Sequence, residues 1–213
     1  MLALGNWQLD RAGVKEARIE RIRSLSHEPE LRILPATLGA EDVLLRPVEV
    51  RGAFDPAHAI WLDNRVYQGV PGYYLLMPLK IEGGSKYVLV NRGWAAAPRE
   101  RGMLPRVVTP AGEIRVRGMA VPPPGKTLEL SRGAEQGAVW QNLDLAHYRD
   151  ATGLDIQAFL IQQTDPADDG LVRDWPAPDL GAAKNRAYAF QWFGLAGLIA
   201  ILYVVLNVKK SAA

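Results

Sequence analysis

The side chains with the widest chemical range in this chain are His27, His58 and His147, and they lie far apart in sequence. No HExxH motif and no His pair at helical spacing accompanies them, so a zinc or acid–base site has no local scaffold. Cysteine is absent, which excludes thiolate ligands, disulfides and a cysteine nucleophile. Ser24, Ser26, Ser85, Ser131 and Ser211 stand outside any GxSxG turn. No Walker loop and no GxGxxG opens a helix after a strand. The adjacent carboxylates Asp168 and Asp169 fall in a stretch rich in Asp, Pro, Gly and Ala and read as solvated loop residues. Nothing points to catalysis, and a non-enzymatic role without a bound metal is expected.

Two clusters suit recognition better. Asn91-Arg92-Gly93-Trp94 ends a strongly apolar strand. Arg and Trp are enriched in binding hot spots, so Asn91, Arg92 and Trp94 are candidate partner contacts. The competing structural reading is an arginine stacked on Trp94 or paired with a carboxylate at the strand end. Tyr188, Gln191 and Trp192 form the second cluster, at the opening of an apolar segment. Their amphipathic side chains suit a membrane interface, and they are candidate contacts as well.

The elements that must position these clusters follow from pattern. Residues 187–208 carry no charge, and only Gln191 and Asn207 are strongly polar. As a helix, such a stretch rises about 33 Å, enough to cross a hydrocarbon core of roughly 30 Å. Lys209 and Lys210 follow at once and account for the whole net charge of +2. That balance argues against nucleic-acid binding. The basic tail 209–213 predicts a cytoplasmic C-terminus, with the main domain on the other side.

Residues 1–4 are a short apolar stub, and residues 1–6 are expected to be the remnant of a first transmembrane helix. A helix is predicted over 7–26, with Trp7, Val14, Ile22 and Leu25 on its apolar face. Strands are predicted over 43–54, 59–67, 72–81, 87–94, 113–121 and 156–163, separated by Gly and Pro. The runs 72–81 and 87–94 form the clearest hairpin. A short helix is predicted over 143–152, capped by Asp144, and residues 164–184 are predicted to be loop. The expected fold is α+β. A compact mostly-β extramembrane domain with its N-terminal helix, 7–184, is tethered by a transmembrane helix at 187–208.

The same residues carry a family resemblance. Gly5-Asn6-Trp7-Gln8, Gly72-Tyr73 before Pro78-Leu79, Val90-Asn91-Arg92-Gly93-Trp94, Val139-Trp140-Gln141 and Tyr188-Ala189-Phe190-Gln191-Trp192-Phe193 occur in an order that resembles the surfeit locus protein one family. The resemblance implies a membrane-embedded assembly factor for cytochrome c oxidase that assists placement of haem a in subunit I. Two transmembrane helices would flank a periplasmic or intermembrane-space domain. The implied partners are subunit I, a haem a synthase and the lipid bilayer. Haem a would be at most a transient passenger, with no tightly bound cofactor. Members often carry a histidine three residues before the tyrosine of the YA..WF motif, proposed as a haem ligand, where this chain has Asn185. An amide is a poor replacement for an axial imidazole; direct haem handling would fall to Tyr188, His58 or His147. A bacterial inner membrane is the expected location, or the mitochondrial inner membrane in a eukaryote. The alternative function is a membrane-tethered ligand-binding or scaffold domain for another membrane complex.

Overall fold

The computed structural model describes residues 1–98, 100, 103–124, 135–176 and 180–211. These form two compact units, Leu25–Trp175 and the pair of segments Met1–Ser24 with Pro176–Ala213.

The larger unit is built on a five-strand barrel. In chain order its elements are β1 (Leu31–Ile33), α2 (Ala40–Val43), β2 (Pro47–Phe54), a 3-10 turn (Pro56–His58), β3 (Ile60–Tyr67), β4 (Val70–Ile81), β5 (Tyr87–Ala96), β6 (Glu113–Val121), β7 (Glu135–Gln136), β8 (Val139–Trp140), α3 (Leu145–Thr152) and β9 (Ile156–Gln163). Strand order runs β1-β2-β6-β9-β5-β4-β3-β8-β7, and β2 also pairs with β4, which closes β2-β6-β9-β5-β4 on itself. Closure needs one strand to share a single edge between two neighbours. Strand β4 does this over its 12 residues: Trp61 and its β3 neighbours pair with the first part, and Gly52 to Phe54 of β2 pair with the last. Gly52 sits where β2 turns from one neighbour to the other, and a Cβ there would lie 1.9 Å from the Lys80 carbonyl oxygen.

Alternation along the strands separates two of the three cores, the third being built on Trp61, Leu75, Met77, Ala95 and Leu171. Val48, Val50, Leu79, Val88, Val90, Val116, Phe159 and Ile161 fill the barrel interior. The intervening residues Leu76, Leu89 and Leu160 point outward and are covered by Tyr148 of α3 with Trp140 and Leu143. Asp144 caps α3, accepting hydrogen bonds from the Ala146 and His147 amides, as its sequence position predicts.

The smaller unit contains α1 (Leu2–Ser26, whose last two residues are assigned to the barrel unit) and α4 (Ala182–Ser211). Residues Ala182–Val208 are long and apolar enough to cross a membrane, with a mean hydropathy of 2.1.

Three expectations are corrected. The strand over 43–54 starts at Pro47, because residues 40–43 take a helical turn with Glu41 and Asp42 favourably placed in it. On α1 the expected apolar face is not the packed one. Trp7 and Val14 are 49% and 68% exposed, while Gly5 and Ala12 are buried, because α4 packs through small residues, Ala182 and Ala189, and lays the Phe193 ring over Gly5. The loop over 164–184 ends earlier than expected, since α4 begins at Ala182 and its extra turn carries Lys184 and Arg186.

Candidate functional site

The Asn91-Arg92-Gly93-Trp94 motif owes its geometry to one inserted residue. The β4–β5 register passes from Leu75 opposite Gly93 to Leu76 opposite Asn91, leaving Arg92 as the extra residue of a β-bulge. Bulges re-aim side chains, and this one turns Arg92 inward. Its side chain is 2% exposed and its guanidinium lies 4.9 Å from the Phe54 ring centroid. Nη1 donates to Thr109 Oγ1 at 2.8 Å, and Nη2 donates to the Val108 carbonyl and to Asp169 Oδ2, both at 2.9 Å. The same Asp169 oxygen accepts from Arg173 Nη2 at 2.6 Å, and Oδ1 accepts from the Leu171 amide at 3.2 Å.

Burial alone would raise the Asp169 carboxyl, but the Arg173 hydrogen bond, the Leu171 amide and the charges of Arg173 and Arg92 outweigh it and hold it below its ordinary value. Burial pulls Arg92 below its ordinary value, with Asp169 opposing the shift. An ionised carboxylate between two guanidinium groups has no proton to give at neutral pH. The cluster is a fastener, tying β5, residues 108–109 and residues 169–173 together.

The rest of the motif completes the fastening. Gly93 has φ +142°, and a Cβ there would stand 2.8 Å from the Val172 carbonyl oxygen. Trp94 exchanges two backbone hydrogen bonds with Val172, each 2.8 Å. Its indole Nε1 donates to the Arg65 carbonyl at 2.7 Å, and the Asn91 side chain accepts from the Gly93 amide at 3.3 Å. Residues 169–173 thus lie as a strap along β5. The carboxylate-paired reading of Arg92 is the one realised. Because Arg92 and Trp94 are buried, a partner at this place would meet the strap rather than those two side chains. Asp169 is likewise buried, correcting its reading as a solvated loop residue.

In the smaller unit, Asn185 joins the two helices. Its Oδ1 accepts from Lys15 Nζ at 2.7 Å, its Nδ2 donates to Gln8 Oε1 at 2.6 Å, and Arg186 pairs with Glu16 at 2.8 Å. The Asn185 amide is therefore committed to helix pairing. Tyr188 and Gln191 are exposed on α4 and Trp192 is half-buried. His58 is held by Asp55 at 2.7 Å, and His147 lies 5.4 Å from the Trp140 ring. Among the described residues no group of three His, Cys, Asp or Glu could hold a metal ion.

The model of the SURF1 family matches residues 1–197, across both units and into the apolar helix. The chain belongs to the SURF1 family. It is 27% identical over 215 residues to a SURF1-like protein of Rickettsia conorii, covering 96% of this chain and 85% of the relative. A SURF1-like protein of Rickettsia felis is also 27% identical, with 96% and 91% covered. A SURF1-like protein of Dictyostelium discoideum is 25% identical over 115 residues, covering 49% of this chain and 42% of the relative. All five resemblance motifs fall inside the matched SURF1 span. Asp169, Arg173 and Thr109 are the residues sequence reasoning missed. The only available signal was Asp169 four residues before Arg173, with apolar Leu171 between them.

Proposed function

We propose that this SURF1-family chain is a membrane-anchored assembly factor for cytochrome c oxidase, assisting haem a insertion into subunit I and its maturation. The observation that carries the reading is the family match over residues 1–197, running from the first residues through the barrel into a helix able to span a membrane. The helix sits in the inner membrane beside subunit I or a haem a synthase, with the barrel in the periplasm and the basic tail 209–213 in the cytoplasm. The protein acts without turnover. It binds the unfinished subunit more tightly than the finished one, which stabilises a haem-receptive state. Asn185 is engaged by Lys15 and Gln8, which favours a chaperone acting on the subunit over axial ligation of haem iron from this position.

The test is co-purification from solubilised membranes. Subunit I lacking haem a should be retained with this chain, in greater yield than mature subunit I. Retention of an unrelated membrane complex, with subunit I absent, would favour the tethered scaffold instead.

A further inference from the structure

The outer face of the barrel is only partly covered by α3. Beyond the covered region the same face opens into a cleft of about 320 Å³. Strand alternation sets its floor: Asn91 lies two residues on from Leu89, and Gln162 two on from Leu160, so each amide continues an outward-facing apolar row. Leu62 and Tyr74 add the floor from the neighbouring strands, and Pro122 to Pro124 form a rim.

Arg65 lines this cleft with an incomplete set of partners. Its Nη2 donates to the Gln141 carbonyl at 3.2 Å, but its Nε is buried and has no acceptor. Asp63, the acid nearest in sequence, spends Oδ1 on the Asn64 amide at 2.6 Å and acts on Arg65 only through space. The Trp94 indole holds the Arg65 backbone in place. Among the described residues no carboxylate is paired with this guanidinium, and a carboxylate is the group whose geometry it matches.

We propose that this cleft binds a small organic carboxylate with an apolar body, with Arg65 recognising the carboxylate. The amides of Asn91 and Gln162 and the Tyr74 hydroxyl are the further polar groups available to its oxygens. Leu62, Leu160 and the proline rim receive the apolar part. One cation matches one negative charge, so a monoanion fits better than a dianion, whose second charge would stay unpaired. The volume is near the lower end of the roughly 300–1,000 Å³ typical of small-molecule sites, so the ligand is small. This site is independent of the assembly role.

The test uses the full chain in phosphatidylcholine nanodiscs, titrated with 3-phenylpropionate and followed by saturation-transfer NMR, with empty nanodiscs as the blank. Binding should be at least tenfold tighter than for 3-phenylpropanol, which lacks the charge, and for acetate, which lacks the apolar body. Arg65→Met should weaken it at least tenfold. If that variant fails to fold, Gln162→Glu sets a like charge beside the carboxylate and should weaken binding to the same degree. Absence of binding at millimolar 3-phenylpropionate would overturn the proposal. So would equal binding of the alcohol, or an unchanged affinity in the folded variants.

Discussion

Arg92 and Asp169, 77 residues apart in sequence, meet at 2.9 Å inside the barrel unit, and Arg173 reaches the same carboxylate oxygen at 2.6 Å. One anion thus serves two cations. The cluster's members are not equivalent, and the difference can be measured.

Removing the anion should cost more than removing one cation. Asp169→Asn leaves two guanidinium groups facing each other without a counter-charge, a loss expected at about 3–5 kcal/mol. Arg92→Met strips hydrogen bonds from Thr109, the Val108 carbonyl and Asp169 but leaves Asp169 paired with Arg173, a loss expected at about 1–3 kcal/mol. Urea unfolding of the solubilised chain checks the ranking, and a larger loss in Arg92→Met would contradict it.

The pH dependence follows from the same carboxyl. Its folded-state pKa lies below its ordinary value, so the unfolded chain takes up the proton first. The stabilisation is complete above about pH 5, a unit above the unfolded carboxyl, and is lost as pH falls through the lower folded value. The stability gap between wild type and Asp169→Asn should be flat from pH 7 to about 5. It should then narrow in acid, by at most about 1.4 kcal/mol per pH unit for one proton.

A side chain at Gly93 would run into the strap. Gly93→Ala introduces a Cβ 2.8 Å from the Val172 carbonyl oxygen at φ +142°, and backbone strain of this kind costs about 1–3 kcal/mol. Amide hydrogen exchange at Trp94 and Val172 should rise first, since those two amides bond the strap to the strand. Unchanged exchange at both would show that the strap does not depend on this contact.

Asn185 predicts a separate effect in the helix pair. Asn185→Ala frees Lys15 Nζ and Gln8 Oε1 together, at a cost of about 1–3 kcal/mol. Faster amide exchange along α1, with barrel amides unchanged, is the expected pattern in nanodiscs.

The barrel strands were legible in sequence because each carries its own apolar run and its own Gly or Pro breaks, as in 72–81 and 87–94. Closure was not legible. It depends on β2 pairing with β4 across Gly52, a contact that no local pattern encodes. Strands as short as β7 and β8 exist only through their partners. The Arg92 motif was conspicuous for its composition, but its acid partner sits in a loop whose Asp-rich composition suggests solvation. Burial of Asp169 comes from the bulge at Arg92 and from Leu171 packing beside it, both tertiary effects. On α1 the large apolar residues drew attention, whereas close helix pairing uses the small ones.

Replacing Arg92 or Trp94 by alanine should lower oxidase activity while the protein stays in the membrane, because the strap against β5 loosens. Wild-type activity in both variants would remove this motif from the assembly role.

Haem a insertion is tested by a reduced-minus-oxidised spectrum of membranes from cells lacking this protein, with oxidase subunit I quantified alongside. The haem a band should fall while subunit I persists, and re-expressing the chain should restore the band. An unchanged haem a band with unchanged oxidase activity would contradict that role.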